Sequence, residues 1–74
     1  MSVTAISSAS DIGAIVSALR KRQGIRQADL ARMIGASHVL LRDIERGKET
    51  VNLGKVLQLL DELGIRVLLD VPEA

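Results

Sequence analysis

The chain contains no cysteine and no aromatic side chain, and His38 is the single histidine among its 74 residues. Without cysteine, disulfide frameworks and thiol catalysis are excluded, and one histidine is too few for a zinc site built from Cys and His clusters. The lack of aromatic rings removes the stacking platforms by which many proteins hold single-stranded nucleic acids. We therefore expect neither a metal site nor a cofactor.

The sequence also lacks long apolar runs and enzyme signatures. No run approaches 18 apolar residues, and the first ten residues have neither a basic nor an apolar signal region, so we expect a cytoplasmic protein with no membrane partner. No nucleophile and base pattern or glycine-rich phosphate loop is present, and so short a helical chain leaves little room for a pocket of about 300 Å³. Enzyme activity is not expected.

The small net charge of +1 conceals an uneven distribution. Residues 20–48 carry eight basic and three acidic side chains, whereas residues 49–74 carry two basic and five acidic ones. A basic block of this size favours a polyanion such as DNA as a partner, because each neutralised phosphate releases counterions. An ordinary solvated surface is the alternative that charge alone leaves open.

Apolar periodicity, capping residues and glycine stops predict four helices in one domain. Residues 1–7 are predicted to be a flexible tail and residues 8–74 the domain. The first helix is capped by Ser8, and the others begin at Gln27, after Ser37 and after Asn52. They are expected to stop at Gly24, Gly35, Gly47 and Gly64.

The fourth helix has a wider apolar face than one core contact needs. One stripe is expected to face the core, and a second stripe lies beside it. The first stripe comprises Leu53, Val56, Leu57 and Leu60, and the second comprises Leu59 and Leu63.

Residues 65–71 have the β-branched composition of a strand, and Pro72 ends it. A lone strand needs a partner for its backbone groups, either residues 3–6 of the same chain or the same strand of a second copy. We favour the second copy, because two-fold pairing satisfies both strands and a chain this short buries little core alone. The expected dimerisation residues are Leu59, Leu63, Ile65, Val67, Leu68, Leu69 and Val71.

Residues 27–48 carry the strongest motif in the chain. Two short helices flank a turn containing Gly35, and the small Ala31 stands where the helices cross. Four apolar residues at helical spacing are expected to fix the crossing: Leu30, Ile34, Leu41 and Ile44. This is the pattern of a helix-turn-helix.

With this motif the chain resembles the lambda-repressor-like (Xre) helix-turn-helix proteins over residues 8–63. The matching positions are Gln27, Leu30, Ala31, Gly35, Ser37, Leu41 and the run Ile44-Glu45-Arg46-Gly47. The leucine-rich fourth helix followed by an apolar strand is similar in particular to the HipB-like antitoxins. One position departs from the pattern, since Arg26 stands where the family usually has a Ser or Thr cap.

The resemblance implies a mainly α, four- to five-helix domain with one C-terminal β-strand that pairs across a dimer. It also implies a homodimeric repressor that binds a palindromic operator in double-stranded DNA and represses its own operon. Such a protein would act as an antitoxin that neutralises a HipA-like serine/threonine kinase toxin. A stand-alone Xre-type regulator of a phage or restriction system, without a toxin partner, is the alternative.

In such a fold the third helix enters the major groove. With Leu41 and Ile44 facing inward, a step of 100° per residue turns the opposite side of the helix outward. The expected base-reading residues are Ser37, His38, Val39, Arg42 and Asp43. Arg42 is the first candidate, because arginine pairs bidentately with guanine.

Several of these residues have a second interpretation. Ser37 caps the helix, and Val39 either contacts a thymine methyl group or packs on its neighbour Leu40. His38 is a donor to base or phosphate, a pH switch or a solvated side chain. Asp43 accepts from cytosine or pairs with Arg46.

The expected phosphate-binding residues are Arg26, Gln27, Arg46 and Lys48. Plain solvent exposure is the alternative for the three basic residues, and the role of Gln27 is implied by the resemblance. The resemblance also implies a structural ion pair between Arg20 and Glu45.

Overall fold

A computed structural model describes residues 2–73, so Met1 and Ala74, the outer ends of the predicted tail and domain, lie outside the described residues. The described chain folds into the four predicted helices. They are α1 (Ala9–Arg22), α2 (Gln27–Met33), α3 (His38–Glu45) and α4 (Leu53–Glu62). No helix between residues 2 and 73 is long and apolar enough to cross a membrane.

Three of the helices begin at side-chain caps that the sequence predicts. In each, the capping oxygen accepts a hydrogen bond from the amide three residues on, which satisfies one of the free N–H groups of the first turn. The distances are 2.9–3.1 Å in the pairs Ser8–Asp11, Ser37–Leu40 and Asn52–Lys55. At α2 the cap position is held by Arg26, whose side chain makes no capping bond, as the sequence predicts.

The core lies where the four helices meet. Leu41 and Ile44 of α3 face inward, 0% and 3% exposed, as the periodicity predicts. They pack with side chains from every other helix and from the residues that end α2 and α4. These are Val16, Leu30, Ala31, Ile34, Val56, Leu59, Leu60 and Leu63.

In the fourth helix Val56 and Leu60 face the core as predicted, but the rest of the predicted core stripe does not. Leu59 is fully buried and Leu63 is 5% exposed, whereas Leu53 and Leu57 are 67% and 44% exposed. The assignment of Leu59 and Leu63 to a dimerisation surface is therefore wrong, because both side chains pack inside their own chain. The apolar face of α4 is wide enough to pack against the core through either of two neighbouring stripes. Packing against the other helices decides which stripe is buried.

The C-terminal segment does not form a strand within one chain. Residues 65–73 have no regular secondary structure, and residues 3–6 do not pair with them. The Ile65 amide donates to the Leu60 carbonyl at 2.9 Å, and its half-buried side chain packs against the core. Beyond this point four apolar side chains are 53–84% exposed: Val67, Leu68, Leu69 and Val71. Within one chain these four side chains are therefore uncovered. The predicted strand pairing would take place between two chains.

Glycines permit the close approach of α1 to the end of α3. A Cβ atom at Gly13 would touch the Ile44 carbonyl oxygen and lie 2.7 Å from the Glu45 carbonyl oxygen, closer than real Cβ contacts. Gly47, which follows α3, has φ +81° and would place a Cβ 2.7 Å from the Ser10 Cα. The sequence predicts Gly47 as a helix stop but gives no signal for the contact at Gly13.

We expect Gly13→Ala to destabilise the fold by about 1–3 kcal/mol, because the added methyl group meets backbone that cannot rotate away. The measurement is urea unfolding followed by circular dichroism. Gly54→Ala is the matched control, since Gly54 lies in the first turn of α4 and a Cβ there approaches only the Asn52 side chain. Gly13→Ala being no more destabilising than Gly54→Ala would contradict the proposed contact.

Candidate nucleic-acid interface

Helices α2 and α3 and the turn between them form the helix-turn-helix scaffold. Gly35 takes φ +64° after α2, and the Ala36 amide then donates to the Ala31 carbonyl at 2.9 Å. The Lys55 ammonium donates to the Ile34 carbonyl at 3.0 Å, which links α4 to the end of α2. The sequence predicts no role for Lys55, although a basic residue inside the apolar α4 is a signal for such a bond. The turn is thus fixed both locally and from α4.

Arg20 and Glu45 join α1 to the end of α3. The Arg20 Nε and Glu45 Oε2 atoms are 2.7 Å apart, and a second bond joins Nη2 to Oε1 at 3.1 Å. The remaining guanidinium nitrogen donates to the Ile25 carbonyl at 2.8 Å. Both side chains are nearly buried, 11% and 6% exposed. The ion pair that the resemblance implies is therefore a bidentate one, with every branch of the guanidinium engaged.

Gln27 extends this ion pair toward the surface. Its Nε2 donates to Glu45 Oε1 at 3.1 Å, and its Oε1 lies 2.8 Å from His38 Nε2. Both polar ends of the Gln27 side chain are therefore occupied within the protein. The amide nitrogen carries a second hydrogen, so the phosphate contact expected of Gln27 is compatible with both hydrogen bonds and stays a prediction.

The environment of Glu45 favours its charged form. Burial alone would raise the pKa of Glu45, but hydrogen bonds from Arg20 and Gln27 and the charge of Arg20 outweigh it and hold the pKa below its ordinary value. A lowered folded-state pKa contributes stability that is present above the ordinary glutamate pKa of about 4.3 and is lost as the pH falls through the lowered value.

The outward side of α3 is exposed and chemically mixed. Val39 is 53% exposed, and Ser37, His38 and Arg42 are also exposed. Four of the five expected base-reading side chains thus lie on accessible surface at the start and middle of α3. This surface, defined by Ser37, His38, Val39 and Arg42, is the candidate interface.

Asp43, the fifth expected base-reading residue, is engaged elsewhere. Its carboxylate is only 25% exposed and lies 3.6 Å from the Lys48 ammonium. The turn at Gly47 brings Lys48 back, and the Lys48 amide also donates to the Asp43 carbonyl at 3.0 Å. The predicted partner within the protein was Arg46, and the structure has Lys48 instead, because the chain reverses after α3.

The remaining phosphate candidates lie on the surface. Arg46 is exposed, and Arg26 is 82% exposed with its Nε 2.8 Å from Asp29 Oδ2. The hydrogen bond from Arg26 lowers the pKa of Asp29, and Arg32 adds a weaker attraction at 3.5 Å. Such exposed pairs contribute little to stability and can be exchanged for a phosphate.

The structure therefore brings the base-reading candidates together with Gln27 and the ion pair. No group of three metal-ligating side chains occurs between residues 2 and 73.

Comparison with known proteins gives agreeing matches. The family model described as Helix-turn-helix matches residues 16–69. An uncharacterized HTH-type transcriptional regulator, y4mF, from Sinorhizobium fredii (strain NBRC 101917 / NGR234) is 44% identical over 62 residues, which make up 84% of this chain and 82% of that protein.

Two solved structures share the fold. A chain in a HipB–O4 20mer complex has a TM-score of 0.83 and 20% identity, with 96% of this chain and 100% of that chain covered. A chain in a HipA–HipB–O2–O3 complex has a TM-score of 0.84 and 20% identity, with the same coverage. These likenesses confirm the mainly α, HipB-like helix-turn-helix fold that the sequence predicts.

We expect Arg20→Met to lower the free energy of unfolding by about 3 kcal/mol or more, because it leaves the buried Glu45 carboxylate without its charged partner. The double variant Arg20→Met/Glu45→Leu should lose less than the sum of the two single variants. Urea unfolding at one protein concentration measures all three.

The control for this cycle is Arg26→Met, which breaks the exposed pair with Asp29 and should change stability little. Equal losses from Arg20→Met and Arg26→Met, or additive losses in the double variant, would show that the Arg20–Glu45 pair does not hold the helices together.

Proposed function

The chain belongs to the helix-turn-helix family whose model matches residues 16–69, and from this premise we propose that it is a dimeric, sequence-specific DNA-binding repressor of transcription. The observation that carries the proposal is the exposed outer side of α3, held on a rigid scaffold by α1, α2 and α4. The relative y4mF, described as an HTH-type transcriptional regulator, supports the same class of function.

In this proposal α3 lies in the major groove and its exposed side chains contact base edges. Arg42 donates to guanine O6 and N7, and Val39 contacts a thymine methyl group. Ser37 caps α3. Because it lies at the start of that helix, we propose that it also contacts DNA. Asp43 is proposed to pair with Lys48, 3.6 Å from its ammonium, rather than to accept from a base.

Arg26, Arg46 and Lys48 are proposed to bind the DNA backbone. Their positions around the helix-turn-helix suit contacts to phosphates on either side of the groove. In the free protein Arg26 lies beside the Asp29 carboxylate and Lys48 beside the Asp43 carboxylate, as exposed pairs that a phosphate can replace. Gln27 is proposed to support His38 and, through the second hydrogen of its amide, to contact a phosphate.

We further propose that two copies associate through the exposed apolar residues 67–71. Val67, Leu68, Leu69 and Val71 are exposed in the single chain, and pairing two such segments would cover them and satisfy their backbone groups. A two-fold dimer of this kind would present two α3 helices to half-sites about 34–36 Å apart, one turn of DNA.

The role as an antitoxin is the finer part of the proposal. It is supported by the likeness of the fold to a chain in a HipA–HipB–O2–O3 complex. We propose a HipA-like serine/threonine kinase toxin as the partner, with repression of the shared operon.

The second candidate is a stand-alone regulator of a phage or restriction system, which the match to y4mF fits equally well. Purification from the native host, scored for a bound kinase, separates the two.

We expect Arg42→Ala to cost about 1–3 kcal/mol of binding to the best site and to relax base preference at one position of each half-site, because a bidentate pair with guanine is lost. Binding-site selection from random duplexes, followed by titration at two salt concentrations, measures both effects.

The matched control is Arg46→Ala, a proposed phosphate contact, which should weaken binding to all sequences and reduce the salt dependence by about one charge. A uniform loss for Arg42→Ala would reassign Arg42 to the backbone. A wild-type protein that selects no sequence would contradict the proposed function.

We expect Leu69→Asp to convert the dimer to a monomer while leaving the helices folded, because Leu69 is 84% exposed within one chain. Sedimentation velocity gives the mass, and circular dichroism gives the helix content. Met33→Asp is the control, since Met33 is an exposed apolar residue of α2 outside the segment. A wild-type monomer, or a dimer that persists in Leu69→Asp, would overturn this mode of association.

A further inference from the structure

A chain of hydrogen bonds connects the buried ion pair to the candidate interface. It runs from Arg20 to Glu45, from Glu45 to Gln27 and from Gln27 to His38. His38 is the first residue of α3, and its ring is exposed. The buried end of this series of hydrogen bonds can therefore determine which nitrogen of the exposed His38 ring carries a hydrogen.

The direction of each hydrogen bond follows from the chemistry of its groups. The Glu45 carboxylate can only accept, so Gln27 must turn its amide nitrogen toward it, at 3.1 Å. This leaves the Gln27 carbonyl oxygen facing His38 Nε2, at 2.8 Å. Because that oxygen can only accept, His38 Nε2 must carry the hydrogen.

A neutral imidazole carries one hydrogen on its two nitrogens. With that hydrogen on Nε2, the Nδ1 atom of His38 is left with a free lone pair and acts as an acceptor. Of the three interpretations of His38 that the sequence leaves open, a donor to base or phosphate does not fit the Nδ1 atom of the neutral ring.

We propose that His38 selects, through Nδ1, a base that presents an amino group in the major groove. Adenine N6 and cytosine N4 are the two such groups, whereas guanine and thymine offer acceptors there that would face the Nδ1 lone pair. The inference rests on the proposed function, since it names the base class that one residue of the same interface recognises. In it His38 is a specificity-determining residue and Gln27 is a positioning residue.

Gln27→Met tests the positioning role. The variant keeps the length of the side chain but removes both the amide that donates to Glu45 and the oxygen that accepts from His38. The ring of His38 is then free to carry its hydrogen on either nitrogen. Gln23→Met is the matched control, because Gln23 donates to the Leu63 carbonyl at 3.3 Å, away from α3.

The first measurement needs no DNA. His38 is the only histidine of the chain, so its ring nitrogens are assigned without ambiguity in a long-range ¹H–¹⁵N spectrum of the full chain at pH 8. We expect the Nε2–H form in the wild type and in Gln23→Met, and a mixture of both forms in Gln27→Met. A wild-type ring with the hydrogen on Nδ1, or a Gln27→Met ring unchanged from wild type, overturns the inference.

The second measurement is binding-site selection at pH 8 with the wild type, His38→Ala and Gln27→Met. We expect one position per half-site at which the wild type prefers adenine or cytosine by roughly 3- to 10-fold, the effect of one hydrogen bond. The preference should disappear in His38→Ala and weaken in Gln27→Met, while the preference at the position read by Arg42 remains.

A His38-dependent preference for guanine or thymine, or no position that changes in His38→Ala, overturns this inference and leaves the proposed function intact. A wild-type chain that selects no DNA sequence overturns both. The ring spectrum separates the two failures further, since it reports the state of His38 in the free protein.

Discussion

The guanidinium of Arg20 is the group on which the positions of three helices depend. Arg20 belongs to α1. Its guanidinium binds the Glu45 carboxylate at the end of α3 and donates to the Ile25 carbonyl before α2. A buried charge is costly unless all its donors are engaged, so the loop and α3 must both be in place for any of these bonds to be favourable. Gln27 then joins α2 to the same carboxylate. The helix-turn-helix is thus tied together from behind the surface that is proposed to meet DNA.

Close backbone contact makes that arrangement rigid. Gly13 allows α1 to touch the carbonyl end of α3, and Gly47 allows the chain to leave α3 against Ser10. Because backbone contacts cannot relax as side chains do, α3 is held at one depth and angle.

Internal ion pairs reshape the charge that the sequence presents. Asp29 lies beside Arg26 and Arg32, and Asp43 lies beside Lys48. Between residues 2 and 73, Arg42 and Arg46 make no ion pair and are exposed. The basic block is therefore not a uniform patch. Among the described residues its unpaired charges are Arg42 and Arg46, on α3 and at its end, together with Lys21 and Arg22 in the last turn of α1.

Local features follow from the sequence alone: where the helices start and stop, the family, and the inner and outer sides of α3. Caps, glycine stops and the 100° step depend only on neighbouring residues, so Ser37, Gly35 and the pair Leu41 and Ile44 were predictable. The tertiary structure alone decided which edge of α4 is buried and where the long polar side chains end. Leu59 and Leu53 are equally apolar, and only contact with the other helices separates them. Gln27 and Lys48 contact partners that folding brings near, and residues 66–73 are exposed within one chain.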